Sequence, residues 1–317
     1  MDKKQPLIVV AGPTASGKTA LGIALAKEYD GEVISADSMQ IYKGMGITTA
    51  KPTYDEMQGI PHHLISFVEM GEEFSVADYV KLAKEKIKDI ASRGKLPILV
   101  GGTGLYISSL IDNINFDNAI TDGSVRNRLI EESKILGNDA MLERLRAVDP
   151  ITAETLPAAN IVRVIRALEV YEVTGVPFSK YKDQNKGESE YNSCMIGLTY
   201  SDRQQLYDRI NKRVDIMLQN GMLEECKSIF ENENLGTVCQ AIGYKEFIPF
   251  FKGEADLEVC IDKIKQSSRR YAKRQLTWFR RDERINWIEL TDVISFDKII
   301  EESKKIVAKT NILCYNS

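Results

Sequence analysis

The run Gly12-Pro13-Thr14-Ala15-Ser16-Gly17-Lys18-Thr19 fits the pattern G-x-x-x-x-G-K-[ST], and it stands between a β-like stretch, LIVVAG (7–12), and a helical pattern. In that context the glycines let backbone N–H groups curl round an anion, and the helix N-terminus adds positive potential. Lys18 supplies a point charge and the Thr19 hydroxyl is suited to Mg²⁺. The chemistry is phosphate binding, and the motif alone does not say whose phosphates. A loop of this kind that hydrolyses ATP has a second acid at the end of a later strand, whereas LPILVGG (96–102) runs into Thr103-Gly104. The available acid is Asp37, which ends EVISAD (32–37). Three roles are open to it: holding a metal, accepting a proton from an acceptor nucleophile, or capping a turn. Its position favours the proton acceptor, because ligands in such sheets bind outside the carboxyl ends of the strands, and Thr103 faces the same crevice. Arg209 and Arg213 stand four residues apart after a later strand, where they either pinch a phosphate or pair with Asp202, Asp208 or Asp215.

The elements that must position these groups read as β-like runs separated by helical patterns: 7–12, 32–37, HLISFV (63–68), 96–102, CMIGLTY (194–200) and INWIEL (285–290). That alternation predicts an α/β fold of the P-loop type, a mostly parallel sheet flanked by helices. Ser75 and Asp78 offer a capping pair for a helix carrying Val76, Tyr79, Val80, Ala83, Ile87 and Ile90, stopped at Gly94. Ser201 caps a further expected helix with Leu206, Ile210, Val214 and Met217 on its buried stripe, ended by Gly221. Between the fourth and fifth strands, polar, turn-rich flanks at 113–124 and 183–193 enclose helical stretches 125–137, 139–148 and 160–174. The expected organisation is a core of 1–114 and 194–317 with an all-helical insertion domain at 115–193.

The chain has 317 residues, 43% hydrophobic and 28% charged, which excludes disordered and collagen-like classes and leaves room for a substantial core. No apolar run approaches the roughly 20 residues needed to span a bilayer, and the first residues lack a signal-peptide pattern. No membrane partner and a cytoplasmic location are expected. Cys194, Cys226, Cys239, Cys260 and Cys314 form no C-x-x-C pair, as expected of reduced thiols, and His62 and His63 lack companions at zinc spacing, so His62 reads as a structural turn residue. The net charge of −4 excludes a surface that is basic throughout, yet 263–284 holds nine Lys or Arg against two acids. That local +7 is either a nucleic-acid patch or a solvated helix face.

Taken together and in order, GPTASGKT (12–19), DSMQIYKGM (37–45), TAKP (49–52), PHHL (61–64), VGGTGLY (100–106), DP (149–150), RALEVYEVTGVP (166–177), AIGYKE (241–246) and YAKRQLTWFR (271–280) resemble the tRNA dimethylallyltransferase, or tRNA isopentenyltransferase, family over nearly the whole chain. With no Cys/His cluster after the last strand, the bacterial type is expected. The chain departs from the family pattern at Pro157-Ala158-Ala159-Asn160 and within 44–52. The resemblance implies a P-loop fold that binds dimethylallyl diphosphate, with Mg²⁺ at Thr19, and transfers the five-carbon group to N6 of the adenine just 3′ of a tRNA anticodon. It implies that Gly12 to Thr19 and Arg213 hold the diphosphate and that Asp37, Thr19 and Arg213 serve catalysis. Asp37, Ser38, Met39 and Gln40 would line the pocket of the extruded adenine, with Thr103 near the reacting centre. Arg126, Arg163 and Arg166 of the insertion, with Lys273, Arg274, Trp278 and Arg280, would hold the anticodon stem-loop. A monomer is expected. Two other functions compete: a small-molecule P-loop kinase, which would consume ATP, and a nucleotide-dependent RNA-binding switch, which would bind without making product.

Overall fold

The computed structural model describes residues 4–116, 123–232, 234–291 and 293–312. Cys314 and residues 117–122 of the expected entry linker lie outside the described residues. The chain divides into two compact units, Met1–Ile111 with Glu190–Ser317, and Asp112–Ser189.

The larger unit is built on six strands: β1 (Gln5–Ala11), β2 (Gly31–Ala36), β3 (His62–His63), β4 (Leu96–Gly101), β5 (Tyr191–Tyr200) and β6 (Ile285–Leu290). Their order is β3-β2-β4-β1-β5-β6, and every pairing is parallel. β2 and β4 are buried along their whole length and β1 from Leu7 to Ala11, which explains runs such as LIVVA: a strand covered on both faces needs apolar residues at consecutive positions. Helices α1 (Lys18–Glu28), α2 (Tyr54–Met57), α3 (Val76–Ser92) and α4 (Gly104–Ile111) accompany the first four strands. α3 starts at a capping box between Ser75 and Asp78, as its sequence requires. The core joins Ile8, Val10, Ile98, Val100, Ile196 and Leu198 of the sheet to Leu21 and Leu25 of α1.

The expected strand at 63–68 is a correction. Only His62 and His63 are extended there, because Leu64 (φ 59°) and Ser66 (φ 53°) take left-handed conformations that no strand accommodates. His63 Nε2 and Arg93 Nη2 lie 2.7 and 2.8 Å from Oε2 of Glu32, a buried acid at the start of β2. The Arg93 hydrogen bond, more than that of His63, holds the Glu32 carboxyl down to about 2. His62 donates from Nδ1 to the Ile60 carbonyl at 2.8 Å, the structural role expected of it.

The second half of this unit contributes α10 (Arg203–Gln219). Its N-cap is Asp202 rather than Ser201, since the Asp202 carboxylate accepts the Gln204 amide at 2.8 Å, and the cap at its far end is Asn220, with Gly221 opening the next helix.

The smaller unit consists of α5 (Gly123–Leu136), α6 (Asn138–Val148), α7 (Pro150–Thr155), α8 (Ile161–Thr174) and α9 (Phe178–Gln184). Leu129, Met141, Leu145, Val164, Ile165 and Leu168 form its core. Asp149 is 1% exposed and accepts four hydrogen bonds: from the amide and hydroxyl of Thr152 at 3.1 and 2.7 Å, and from those of Ser179 at 2.8 Å each. It thereby caps α7 and ties α9 to it. After β5 and α10 come α11 (Met222–Phe230), a 3₁₀ turn at Gly236–Gln240, α12 (Tyr244–Phe251), α13 (Leu257–Phe279) and, beyond β6, α14 (Phe296–Lys309).

Burial works against the ionised form of Asp149, but the Thr152 and Ser179 donors outweigh it and its pKa is lowered. The stability this carboxylate contributes is therefore present above the ordinary carboxylate range and lost as pH falls through the lowered pKa. Asp149→Asn is expected to cost roughly 1–3 kcal/mol at neutral pH and to flatten the acid limb of the stability profile. Urea titrations at neutral and acidic pH check this, and an Asn variant with an unchanged acid limb contradicts it.

Candidate active site

The loop between β1 and α1 is shaped by backbone dihedrals that its residue types permit. Ala15 (φ 63°) and Gly17 (φ 87°) are left-handed and the intervening Ser16 is not, the alternation that turns successive amides toward one concavity. Gly17 is the N-cap of α1, so Lys18 and Thr19 begin the helix where its dipole is positive. Ser16 Oγ is buried with no hydrogen-bond partner among the described residues. Lys18 is half-buried and donates to the Pro13 carbonyl at 3.2 Å. Its enclosure pushes the ammonium pKa down to about 8, Arg213 adding to the effect and Asp37 opposing it.

Arg209 and Arg213 turn toward this loop rather than toward Asp202, Asp208 or Asp215. Arg209 Nε donates to the Ala15 carbonyl at 3.1 Å and Arg213 Nη1 to the Thr14 hydroxyl at 3.3 Å, while Asp215 pairs with Lys265 at 2.6 Å. Burial lowers the Arg213 pKa, with Asp37 and Glu56 pulling it back up.

Asp37 follows β2 directly. Its Oδ1 accepts the amides of Met39 (2.9 Å) and Gln40 (3.3 Å), while Oδ2 makes no hydrogen bond among the described residues. One oxygen thus caps the turn and the other is available, so the capping and proton-accepting roles coexist. Thr103 accepts the Ser38 amide on its hydroxyl oxygen (3.0 Å) and donates to Ser38 Oγ (3.3 Å), while its own amide donates to the Ala36 carbonyl (3.0 Å). It thereby holds Ser38, a residue of the cavity wall. Gln40 is committed: Nε2 donates to the Thr49 and Ala50 carbonyls (3.2 and 3.3 Å) and Oε1 accepts from Ser35 (3.3 Å). The neighbouring loop, where the sequence departs from the family pattern, is held by Glu225, which accepts the amides of Ile47 and Thr48 at 2.9 and 2.7 Å.

These groups line one cavity of about 260 Å³. Thr14, Lys18, Thr19 and Arg213 form its cationic side, and Asp37, Ser38, Met39 and Gln40 stand at another wall. Ile210, Val214, Met217, Met222, Ile242 and Ile264 give it an apolar wall. α13 closes it with Tyr271, Arg274 and Gln275, the Arg274 guanidinium standing 5.5 Å from the Tyr271 ring centroid. Of the basic run, Lys273, Arg274 and Arg280 are exposed, whereas Phe279 is core and Trp278 half-buried. Gln275, Tyr271 and the apolar wall went unassigned in the sequence. Their only signals were the position of Gln275 inside a basic run and the i, i+3/i+4 apolar spacing of α10.

In the smaller unit, Arg126 (2.9 Å) and Arg166 (2.7 Å) both donate to Oε2 of Glu169, which is 2% exposed, and Arg163 is exposed. Two guanidiniums share one acid, so this cluster carries an excess positive charge.

Among the described residues no cluster of three or more His, Cys, Asp or Glu is suited to a metal, and none is a membrane-spanning helix. The oxygen donors at the cavity, the Thr19 hydroxyl and the Asp37 carboxylate, nevertheless suit Mg²⁺, which takes few protein ligands and completes its shell with water and substrate phosphates.

A P-loop that opens onto a cavity with one apolar wall and a carboxylate at another defines an α/β protein of the phosphate-binding kind. The IPP transferase family matches residues 40–282. The tRNA dimethylallyltransferase of Thermoanaerobacter sp. (strain X514) is 49% identical over 308 residues, 96% of each chain. Among solved structures, the tRNA isopentenylpyrophosphate transferase from Bacillus halodurans superposes with a TM-score of 0.74 at 44% identity, covering 97% of both chains. A eukaryotic dimethylallyltransferase acting on tRNA gives 0.82 at 32% identity, covering 99% of this chain and 80% of its own. The chain belongs to the IPP transferase family.

A bound anion raises the pKa of a neighbouring ammonium, so a diphosphate ester is expected to lift Lys18 above its ligand-free value of about 8. Binding should then take up close to one proton at about pH 9 and weaken as pH rises through that range. Calorimetry with a prenyl diphosphate in buffers of different ionisation enthalpy measures the uptake. Lys18→Met should abolish it, and the same uptake in that variant contradicts the assignment.

Proposed function

We propose that the protein transfers the dimethylallyl group of dimethylallyl diphosphate to N6 of the adenine immediately 3′ of a tRNA anticodon, releasing diphosphate. The observation that carries this reading is the single cavity in which a P-loop and Asp37 flank an apolar wall. That wall suits a five-carbon hydrocarbon.

In this reading N6 attacks C1 of the dimethylallyl group as the C1–O bond to the diphosphate breaks, and the bonding pair leaves with the diphosphate. Charge growing on the leaving group is met by Lys18 and Arg213, cations that already stand at the cavity beside the P-loop. A Mg²⁺ held at Thr19 would add charge neutralisation on the diphosphate oxygens. As the new C–N bond forms, the N6 proton becomes acidic, and Asp37 Oδ2 accepts it. Met39 and Ser38 flank the adenine, and Thr103 acts by fixing Ser38.

The anticodon arm would be held by Arg126, Arg163 and Arg166 of the helical unit and by Lys273, Arg274 and Arg280 of the basic run. Arg274 also lines the cavity, so it is placed to touch substrate as well as RNA backbone. A monomer in the cytoplasm completes the reading.

Incubation with labelled dimethylallyl diphosphate and unmodified tRNA, followed by nucleoside analysis, tests the transfer: labelled N6-(dimethylallyl)adenosine without ATP consumption is expected, and ATP turnover on a small acceptor would establish the kinase instead. Asp37→Asn should lower the rate by about 10²-fold or more, with diphosphate and tRNA binding retained. Near-normal turnover would sink the proton-acceptor role.

For the RNA contacts, Lys273→Ala combined with Arg280→Ala should weaken tRNA binding across substrates. The salt dependence should flatten by roughly 0.7–0.9 log–log unit per lost phosphate contact, with the rate at saturating tRNA nearly unchanged. Arg274→Ala should lower that rate too. An unchanged salt slope in a folded double variant would make the run a solvated helix face.

A further inference from the structure

Gln275 is 5% exposed on the inner face of α13, 261 positions from the phosphate loop it touches. Its Oε1 accepts the Thr14 amide at 2.8 Å and its Nε2 donates to the Gly102 carbonyl at 2.9 Å. The orientation of the side-chain amide is forced, since a backbone N–H only donates and a carbonyl only accepts. The packing leaves no slack. A Cβ at Gly102 would stand 2.2 Å from Gln275 Nε2, and one at Gly104 would stand 2.2 Å from the Trp278 ring, so the glycines of the loop after β4 are what let α13 approach.

One amide group therefore spans the two loops that carry opposite ends of the chemistry. Thr14 belongs to the diphosphate cradle and also accepts from Arg213. Gly102 precedes Thr103, whose hydroxyl fixes Ser38 beside Asp37. We infer that Gln275 is a positioning residue for the transfer reaction: it sets the separation between the leaving-group cradle and the proton-accepting turn. The inference rests on the function proposed above. An apolar side chain here would leave the part-buried Thr14 N–H and the buried Gly102 C=O without this partner and free the two loops to shift independently. The same helix turns Lys273 and Arg280 outward, so RNA contacts on its outer face and loop positioning on its inner face belong to one rigid element.

The test compares Gln275→Leu and Gln275→Glu with the wild type, whose own transfer of labelled dimethylallyl groups to tRNA is the control for the proposed function. No wild-type transfer would overturn that function; the variants decide the role of Gln275. In Gln275→Leu, kcat/KM for dimethylallyl diphosphate should fall about tenfold or more while the tRNA KM stays within about threefold, at an unchanged circular dichroism spectrum. In Gln275→Glu the ionised carboxylate still accepts the Thr14 amide but opposes the Gly102 carbonyl, whereas the protonated form restores the donor. Burial and Asp37 raise the pKa of a carboxyl here against the opposing cations Lys18, Arg213 and Arg274 of the same cavity, so its deficit relative to wild type should shrink several-fold, about fivefold, from about pH 8 to about pH 6. The deficit of Gln275→Leu should stay constant over that range. A folded Gln275→Leu variant within about threefold of wild type, or a loss confined to the tRNA KM, overturns the inference. If Gln275→Leu does not fold, the pH dependence of Gln275→Glu decides alone, and a flat ratio overturns it.

Discussion

An excess of positive charge at the carboxyl edge of the sheet is the constraint round which the site is arranged. Lys18 and Arg213 are both half-buried, both disfavoured in their charged forms by enclosure, and Arg213 further depresses Lys18. Asp37 opposes the depression at each of them. Asp37 faces both cations and Glu56 faces Arg213 as well, but with Arg209 at the loop and Arg274 at the cavity the positive charge remains in excess, and a diphosphate would offset it. Holding like charges together costs stability unless their surroundings are rigid and hydrogen-bonded, so the fold must fix these groups by other means.

It does so by using the sheet as a ruler. β2, β4 and β1 are neighbours, and each is followed by a loop that contributes to the site: Asp37 after β2, Gly102 and Thr103 after β4, the P-loop after β1. Parallel strands bring their carboxyl ends to one edge, and crossovers to both sides of β1 open a crevice there. The loops are then stitched to one another rather than left to the strands alone. Thr103 bonds to the Ala36 carbonyl and to Ser38, and Gln275 joins the Thr14 amide to the Gly102 carbonyl. Electrostatic stabilisation of a leaving group is efficient only when the donors do not have to reorganise, and this network supplies that rigidity.

Much of this edge was legible in the sequence, because the P-loop, Asp37 and Thr103 lie within a few residues of a strand end and their chemistry is local. The strand expected at 63–68 failed for a local reason of another kind: β-favouring apolar residues were present, but Leu64 and Ser66 are left-handed, and β-propensity carries no information about that. Ser201 was read as the cap, and only the geometry gives that role to its neighbour Asp202. α7 and α9 are too short for a periodic signal, although Asp149 before Pro150 marks the start of the first. Gln275 was hidden for a deeper reason. Its partners are 261 and 173 positions away, and a glutamine among arginines reads as one more solvated residue until the helix is docked. The apolar wall was half visible: Ile210, Val214 and Met217 were read as a buried stripe, but a stripe facing a core and one facing a cavity have the same period.

The geometry also redistributes the work of recognising the acceptor base. Gln40 was expected to face the adenine, and it lines the cavity, yet both of its amide hydrogens go to the Thr49 and Ala50 carbonyls and its oxygen accepts from Ser35. A side chain so committed fixes the loop at 49–50 and has little left with which to read a base edge. The hydrogen-bonding groups remaining on this turn are Asp37 Oδ2 and the Ser38 hydroxyl, with Met39 offering a polarizable contact for the ring face. Asp37 would then both accept the N6 proton and recognise the amino group that carries it. A carbonyl at the same ring position has no proton to donate to that carboxylate, and it offers no nucleophilic nitrogen there. Discrimination of adenine from guanine would thus follow from the chemistry of the transfer itself, and the basic surfaces on α13 and the helical unit need only deliver the anticodon loop.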